Sequence, residues 1–162
     1  MKRVLWSGLG VLASTIAVLS SAALPGNQPS LGEEGIQAQL VGAWRLAWIE
    51  EQGADGQLQK GDRTGILVYT SDGHMSVQIM ARDASAPPPA GPVHYEQGGY
   101  EAYYGRYDVD EHAHSVTHHV EGALVRTLIG HDLTRAYQFS GKQLILKSSR
   151  ADEHWTIAWE HY

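Results

Sequence analysis

The chain has 162 residues and a formal net charge of −6, with 18 glycines, 8 tyrosines, 5 tryptophans and no cysteine. That length suggests one domain, and the lack of cysteine excludes disulfides, thiolate-bound zinc, a thiol nucleophile and a lipid-modified cysteine anchor. The acidic balance is repelled by phosphate backbones, so nucleic acid is not an expected partner.

Residues 1–23 read as a secretory signal peptide. Lys2 and Arg3 form a basic start, Val4 to Leu19 is an apolar run, and Ser20-Ser21-Ala22-Ala23 offers small residues for cleavage after Ala22 or Ala23. The run is short for a membrane span, which needs about 20 apolar residues. The expectation is export to the periplasm or beyond, with no stable membrane insertion after cleavage. Losing Lys2 and Arg3 takes the net charge from −6 to −8. Residues 24–39 are a linker and short N-terminal segment, in which Glu33 to Leu40 could form a short helix.

Residues 40–162 read as a β domain. The first strand is Val41 to Glu50, with Trp44, Leu46 and Trp48 in one phase. Gln52 to Gly61 is a polar loop. Thr64 to Tyr69 and His74 to Met80 are strands joined by Ser71-Asp72-Gly73, a tight hairpin sequence. Met75, Val77 and Ile79 share a phase. The proline-rich stretch 82–97 is too long for a hairpin loop and is a candidate lid. Tyr100 to Tyr104 suggests a helical turn before a strand at Gly105 to Val109.

Ser115 to Glu121 is the fifth strand. It alternates so that Val116, His118 and Val120 share a face, which puts an ionisable ring on the apolar phase. Further strands run over Leu133–Phe139, Gln143–Ser148 and Asp152–His161. Eight alternating segments with tight turns indicate an antiparallel sandwich or an up-and-down barrel.

Several stretches resemble the small bacterial and fungal lipocalin-like domain family of the calycin group. They are Leu40-Val41-Gly42-Ala43-Trp44-Arg45-Leu46 with its Gly-x-Trp signature, Thr64 to Thr70, Asp72 to Gln78, Ala102 to Tyr107, and Val116 to Gly122. The resemblance spans Leu40 to roughly Glu160. It implies an all-β, eight-stranded antiparallel up-and-down barrel with a central cavity, and no single function. Lipocalins usually cover the signature tryptophan with an arginine near the last strand. Here the chain ends Trp159-Glu160-His161-Tyr162, so Arg135 or Arg45 takes that place, or nothing does.

If the apolar phase faces inward, the ligand-binding candidates are Trp44, Trp48, Met75, Val77, Tyr103, Tyr107, His118, Arg135, Tyr137 and Trp155. An apolar pocket with a few convergent polar groups is the usual form of a small-molecule site. Arg135 could clamp a carboxylate at two points, or stack on Trp44. His118 could donate a hydrogen bond or shuttle a proton near neutral pH, or be a satisfied core histidine. The expected partner is a small hydrophobic or amphipathic ligand. The alternative is a cofactor-independent isomerase, cyclase or lyase, in which His118 moves a proton and Arg135 or Tyr107 stabilises an oxyanion. No cofactor or metal is expected: His112 and His114 read as turn residues, no glutamate follows them at the spacing of a cupin site, and no His-Glu-x-x-His occurs.

Overall fold

The computed structural model describes residues 35–83 and 99–162. A short helix, α1 (Ile36–Leu40), precedes nine strands: β1 (Gly42–Gln52), β2 (Leu58–Gly61), β3 (Arg63–Tyr69), β4 (His74–Ala81), β5 (Tyr100–Asp110), β6 (Ser115–Ala123), β7 (Asp132–Ser140), β8 (Gln143–Ser148) and β9 (Trp155–His161). From β3 onwards each strand pairs antiparallel with the next, and β9 pairs back onto β1. The sheet therefore closes on itself. β2 and β3 are two parts of one stave, because both lie along β1 and only Asp62 separates them. The result is a closed eight-stave barrel, so the sandwich alternative falls away. No described helix is long and apolar enough to cross a membrane.

Alternation builds the interior. Met75, Val77, Ile79 and Ala81 on β4 are buried, whereas His74, Gln78 and Met80 between them are exposed. Val116, His118 and Val120 on β6 face the same interior. Burying a large apolar side chain in this way contributes about 1.5–3 kcal/mol. α1 packs at the end that carries Gly42 and Tyr69. There Leu40 is fully buried, and the backbone N–H of Ile36 donates to the Glu111 carboxylate at 3.1 Å.

The signature tryptophan is held by several contacts. Trp44 Nε1 donates to the Leu40 carbonyl at 2.8 Å, which ties the barrel to α1. The His161 ring lies 3.7 Å from the Trp44 ring, centroid to centroid. His161 thus takes the covering place expected of an arginine. Arg45 points outward to Glu160 at 3.0 Å, and Arg135 stacks elsewhere. Gly42 has φ +143°, and a Cβ there would run into the His161 ring, so the first residue of Gly-x-Trp makes room for the ring that covers the third.

Three sequence expectations change. Tyr100–Tyr104 is not a helical turn but the first half of β5, paired with β4 from Met80↔Tyr100 to Ser76↔Tyr104. Local tyrosine-rich composition suits either state, and the open edge of β4 selects the strand. The polar loop after β1 contains β2, recruited by the free edge of β1 beyond Ile49. The third change concerns Trp48. The β1–β9 register shifts between Leu46 and Trp48, so the extra residue at Ala47 reverses the phase. Ile49 then enters the core and Trp48 turns outward. The stretch read as a lid, 82–97, lies almost wholly outside the described residues.

A second bulge lies between β5 and β6, where the register shifts at Tyr104/Gly105. A Cβ on Gly105 would overlap the backbone carbonyl of His119. Gly105→Ala is therefore expected to cost about 2–3 kcal/mol, in the range of core overpacking. A lower urea midpoint at unchanged m-value would show it. A midpoint equal to that of the parent protein would contradict it.

Candidate functional site

Four inward-facing polar residues meet in the apolar interior. His118 on β6 is 2 % exposed. The Tyr69 hydroxyl lies 2.7 Å from its Nε2, and the Tyr103 hydroxyl 3.0 Å from its Nδ1. Tyr69 ends β3, Tyr103 lies on β5, and the two reach the ring from opposite sides. Arg135 on β7 is also buried, and its positive charge acts on Tyr69, Tyr103 and His118. Tyr107, opposite His118 on β5, donates instead to the Thr70 carbonyl at 3.0 Å, and its ring packs against Tyr69.

Donor and acceptor capacities constrain this string. A neutral imidazole carries one N–H, so one ring nitrogen of His118 donates to one tyrosine hydroxyl and the other nitrogen accepts from the second. Tyr103, His118 and Tyr69 thus form one continuous buried string.

Arg135 also anchors a second group. Its guanidinium lies over the Trp155 ring, 4.9 Å from the centroid. Glu153, on the connection between β8 and β9, brings a carboxylate to 3.7 Å from Nη1. Both side chains are over nine-tenths buried, at 8 % and 7 % exposed. That separation makes an ion pair without a hydrogen bond. The Glu153 oxygens are already engaged: Ser148 Oγ donates at 2.6 Å, Trp155 Nε1 at 3.3 Å, and Arg150 lies 3.3 Å away. Elsewhere in the interior, the Trp159 indole N–H and the Tyr137 hydroxyl are buried without hydrogen-bond partners among the described residues.

Burial pushes the His118 pKa down to about 3, helped by the positive charge of Arg135. The ring is therefore neutral at physiological pH. Burial pushes the Tyr103 hydroxyl up to about 12 and raises Tyr69 well above the ordinary range. Every hydroxyl in the string is protonated. So weak a base is poorly suited to shuttling protons near neutral pH, and the arrangement works instead as a fixed array of hydrogen bonds with a buried cation at one end.

The neighbouring His119 points outward and behaves oppositely. Its Nδ1 sits 2.7 Å from Asp132 and its Nε2 2.9 Å from Asp108, so it bridges β5, β6 and β7. The hydrogen bond with Asp132, assisted by Asp108, raises its pKa despite partial burial. A raised folded pKa adds stability that is fully present below the unfolded value of about 6.5 and is lost as pH rises through the folded value. His119→Gln should flatten this alkaline limb in urea unfolding measured between pH 6 and pH 9. An unchanged limb would show that the two carboxylates do not act through His119.

The remaining expected site residues fall as follows. Met75 and Val77 on β4 and Trp44 on β1 are buried in the interior. Tyr137 is buried beside Phe139 and His114. Trp155 is half-buried against the core beneath Arg135. Trp48 is not with them: it borders an outer groove of about 500 Å³ with Arg45, Gly65, Arg82 and Glu160. His112 and His114 lie in the turn between β5 and β6. The sequence reading missed Tyr69 and Glu153. The inward phase of Leu67 and Tyr69 on β3 could have exposed the first. Nothing local exposes the second, because Glu153 lies in a connection and reaches inward.

A sequence model of the lipocalin-like domain matches residues 41–160. Among solved structures, a lipocalin-like protein from Bacteroides uniformis is similar, at 16 % identity and a TM-score of 0.44, over 76 % of this chain and 98 % of that one. No curated protein sequence matches the chain. Eight-stave barrels of this kind have an interior filled by side chains or able to hold one small ligand. The domain match covers most of the chain, from the tryptophan signature through the closing strand, and the chain belongs to the lipocalin-like domain family.

Proposed function

We propose that this protein binds a small apolar or amphipathic molecule inside its barrel, and that it does so outside the cytoplasm after removal of residues 1–23. The observation that carries the binding reading is the string Tyr103–His118–Tyr69 with the buried Arg135 beside it. It places a cation and hydrogen-bonding groups among the apolar side chains of the interior. Such a combination orients a ligand that the apolar surface retains. The export reading rests on the basic start, apolar run and small-residue cleavage site of the first 23 residues.

Binding is favoured over proton transfer because His118 is held neutral and weakly basic by burial and by Arg135. Native mass spectrometry of protein purified from the exporting cell tests both readings at once. The expected result is a chain beginning at Ala23 or Leu24 that carries a stoichiometric organic ligand. A protein of bare polypeptide mass that also binds nothing from a panel of apolar and amphipathic compounds would defeat the binding reading. A retained N-terminus would defeat the export reading.

A further inference from the structure

The outer wall of the barrel opens at one place. β1 pairs with β3 as far as Arg45↔Ile66, and with β2 only from Ile49↔Gly61. Leu46, Ala47 and Trp48 therefore lie opposite residues 62–65 with no pairing between them. The outer groove of about 500 Å³ sits over this opening, and its size is that of a small-molecule site. The bulge at Ala47 turns Trp48 out to the groove wall. Bulges recur beside binding sites because they re-aim one side chain in this way. The Trp48 indole N–H has no hydrogen-bond partner among the described residues.

A linked polar set shares the groove. Glu160 accepts from Gln143 Nε2 at 2.9 Å on one oxygen and from Arg45 Nη2 at 3.0 Å on the other. The Gln143 and Arg45 bonds hold the Glu160 carboxyl below its usual range, so it stays an acceptor. Each member keeps capacity to spare: lone pairs on Glu160, the Gln143 carbonyl oxygen, and the remaining N–H groups of Arg45. The charges are matched in pairs. Arg45 faces Glu160, and Arg82 faces Asp62 at 3.3 Å. A groove whose guanidinium groups already face carboxylates, on a protein of net charge −6, does not select an anion. Its apolar surface is confined to Leu46, Ala47 and the Trp48 ring, which is too little for a lipid. What fits is a neutral molecule with a flat apolar face and groups that both donate and accept. A sugar ring has both, in its C–H face and its hydroxyls.

We infer that this groove is a second binding site, separate from the barrel interior, and that it takes a neutral oligosaccharide by stacking one ring on Trp48 and bonding its hydroxyls to Gln143, Glu160 and Arg45. The inference is independent of interior binding, since no residue of the Tyr103–His118–Tyr69 string lines the groove.

The test is an NMR titration of isotope-labelled protein with maltotriose, cellotriose, triacetylchitotriose, mannotriose and galactotriose, with thermal unfolding as the folding control for each variant. At least one trisaccharide should bind with a Kd of about 1 mM or tighter. It should shift the Trp48 indole N–H resonance, identified by its loss in Trp48→Phe, together with the backbone amides of Ala47 and Gly65. Trp48→Ala should weaken that sugar by about tenfold through loss of the stacking face. Gln143→Ala should weaken it by about fivefold through loss of hydrogen bonds. Tyr104→Ala, which removes an exposed aromatic ring outside the groove, should leave the affinity within about twofold.

No binding by any of the five sugars at about 10 mM would overturn the inference. Binding that moves interior amides such as those of Val77 and Leu146 while the Trp48 indole stays still would overturn it too. Binding of trigalacturonate in place of every neutral sugar would overturn the neutral class on which the matched charges bear. Should Trp48→Ala not fold, the indole shift and Gln143→Ala still decide the matter, because Gln143 lies on the surface array and outside the core.

Discussion

Trp44→Ala is expected to cost about 3–5 kcal/mol, the range for removing a buried aromatic side chain. Three contacts are lost together: the indole donation to the Leu40 carbonyl, the close stack of His161, and the tilted packing on Phe139 at 6.4 Å. The first ties down α1, the second fastens the last strand against the first, and the third reaches β7. Few residues in a barrel touch both its seam and its end cap, so the damage is not confined to one stave. Urea unfolding of the variant should show a large drop in midpoint, and amide exchange should accelerate in α1 and β9 first. A loss below about 1 kcal/mol would mean that the end cap and seam are held by other residues.

Replacing His118 with leucine should be nearly as costly, for a different reason. The apolar volume is kept, but the Tyr69 and Tyr103 hydroxyls lose their common partner in a buried setting. An orphaned buried hydroxyl costs about 1–3 kcal/mol, so the pair should cost about 2–6 kcal/mol. Adding Tyr69→Phe and Tyr103→Phe to His118→Leu should recover at least about 1 kcal/mol, because removing all the partners is cheaper than removing one. If the triple variant were less stable than the single one, the tyrosines would owe their place to packing and not to the histidine.

The same substitution has a signature in pH. The folded ring stays neutral down to about pH 3, whereas the unfolded ring takes up a proton near pH 6.5. The unfolded state therefore binds the extra proton through the intervening window, and stability is lost as pH falls through it. By pH 4 the loss through this residue is about 3 kcal/mol. His118→Leu should flatten the acid limb between pH 6 and pH 4, opposite in sign to the alkaline limb assigned to His119. Two adjacent histidines on one strand thus bound the pH range of the fold from opposite sides, one because it faces inward and one because it faces out.

Much of this is legible in the residues themselves. The alternation of Met75, Val77 and Ile79, or of Val116, His118 and Val120, is a local property with a period of two. It places side chains on a face before any partner strand is known. The even succession of such segments, the Asp-Gly turn and the Gly-x-Trp stretch were sufficient for an all-β barrel with His118 and Arg135 inside. Proline-free, turn-bounded alternation has few other closed solutions.

The rest depended on contacts between residues far apart in the chain. Ala47 shifts the register only because β9 pairs with β1, so no local pattern announces that Trp48 leaves the core and Ile49 enters it. His161 covers Trp44 across the seam, 117 positions along the chain from it, and geometry alone selects it over Arg45 and Arg135. Glu153 reaches the guanidinium from a connection, where alternation has no meaning. A strand's side-chain period sets which residues can face inward. Closure of the barrel decides which of them meet, because bulges, register and inward-reaching loops are set by pairing between strands and not by the order of residues within one.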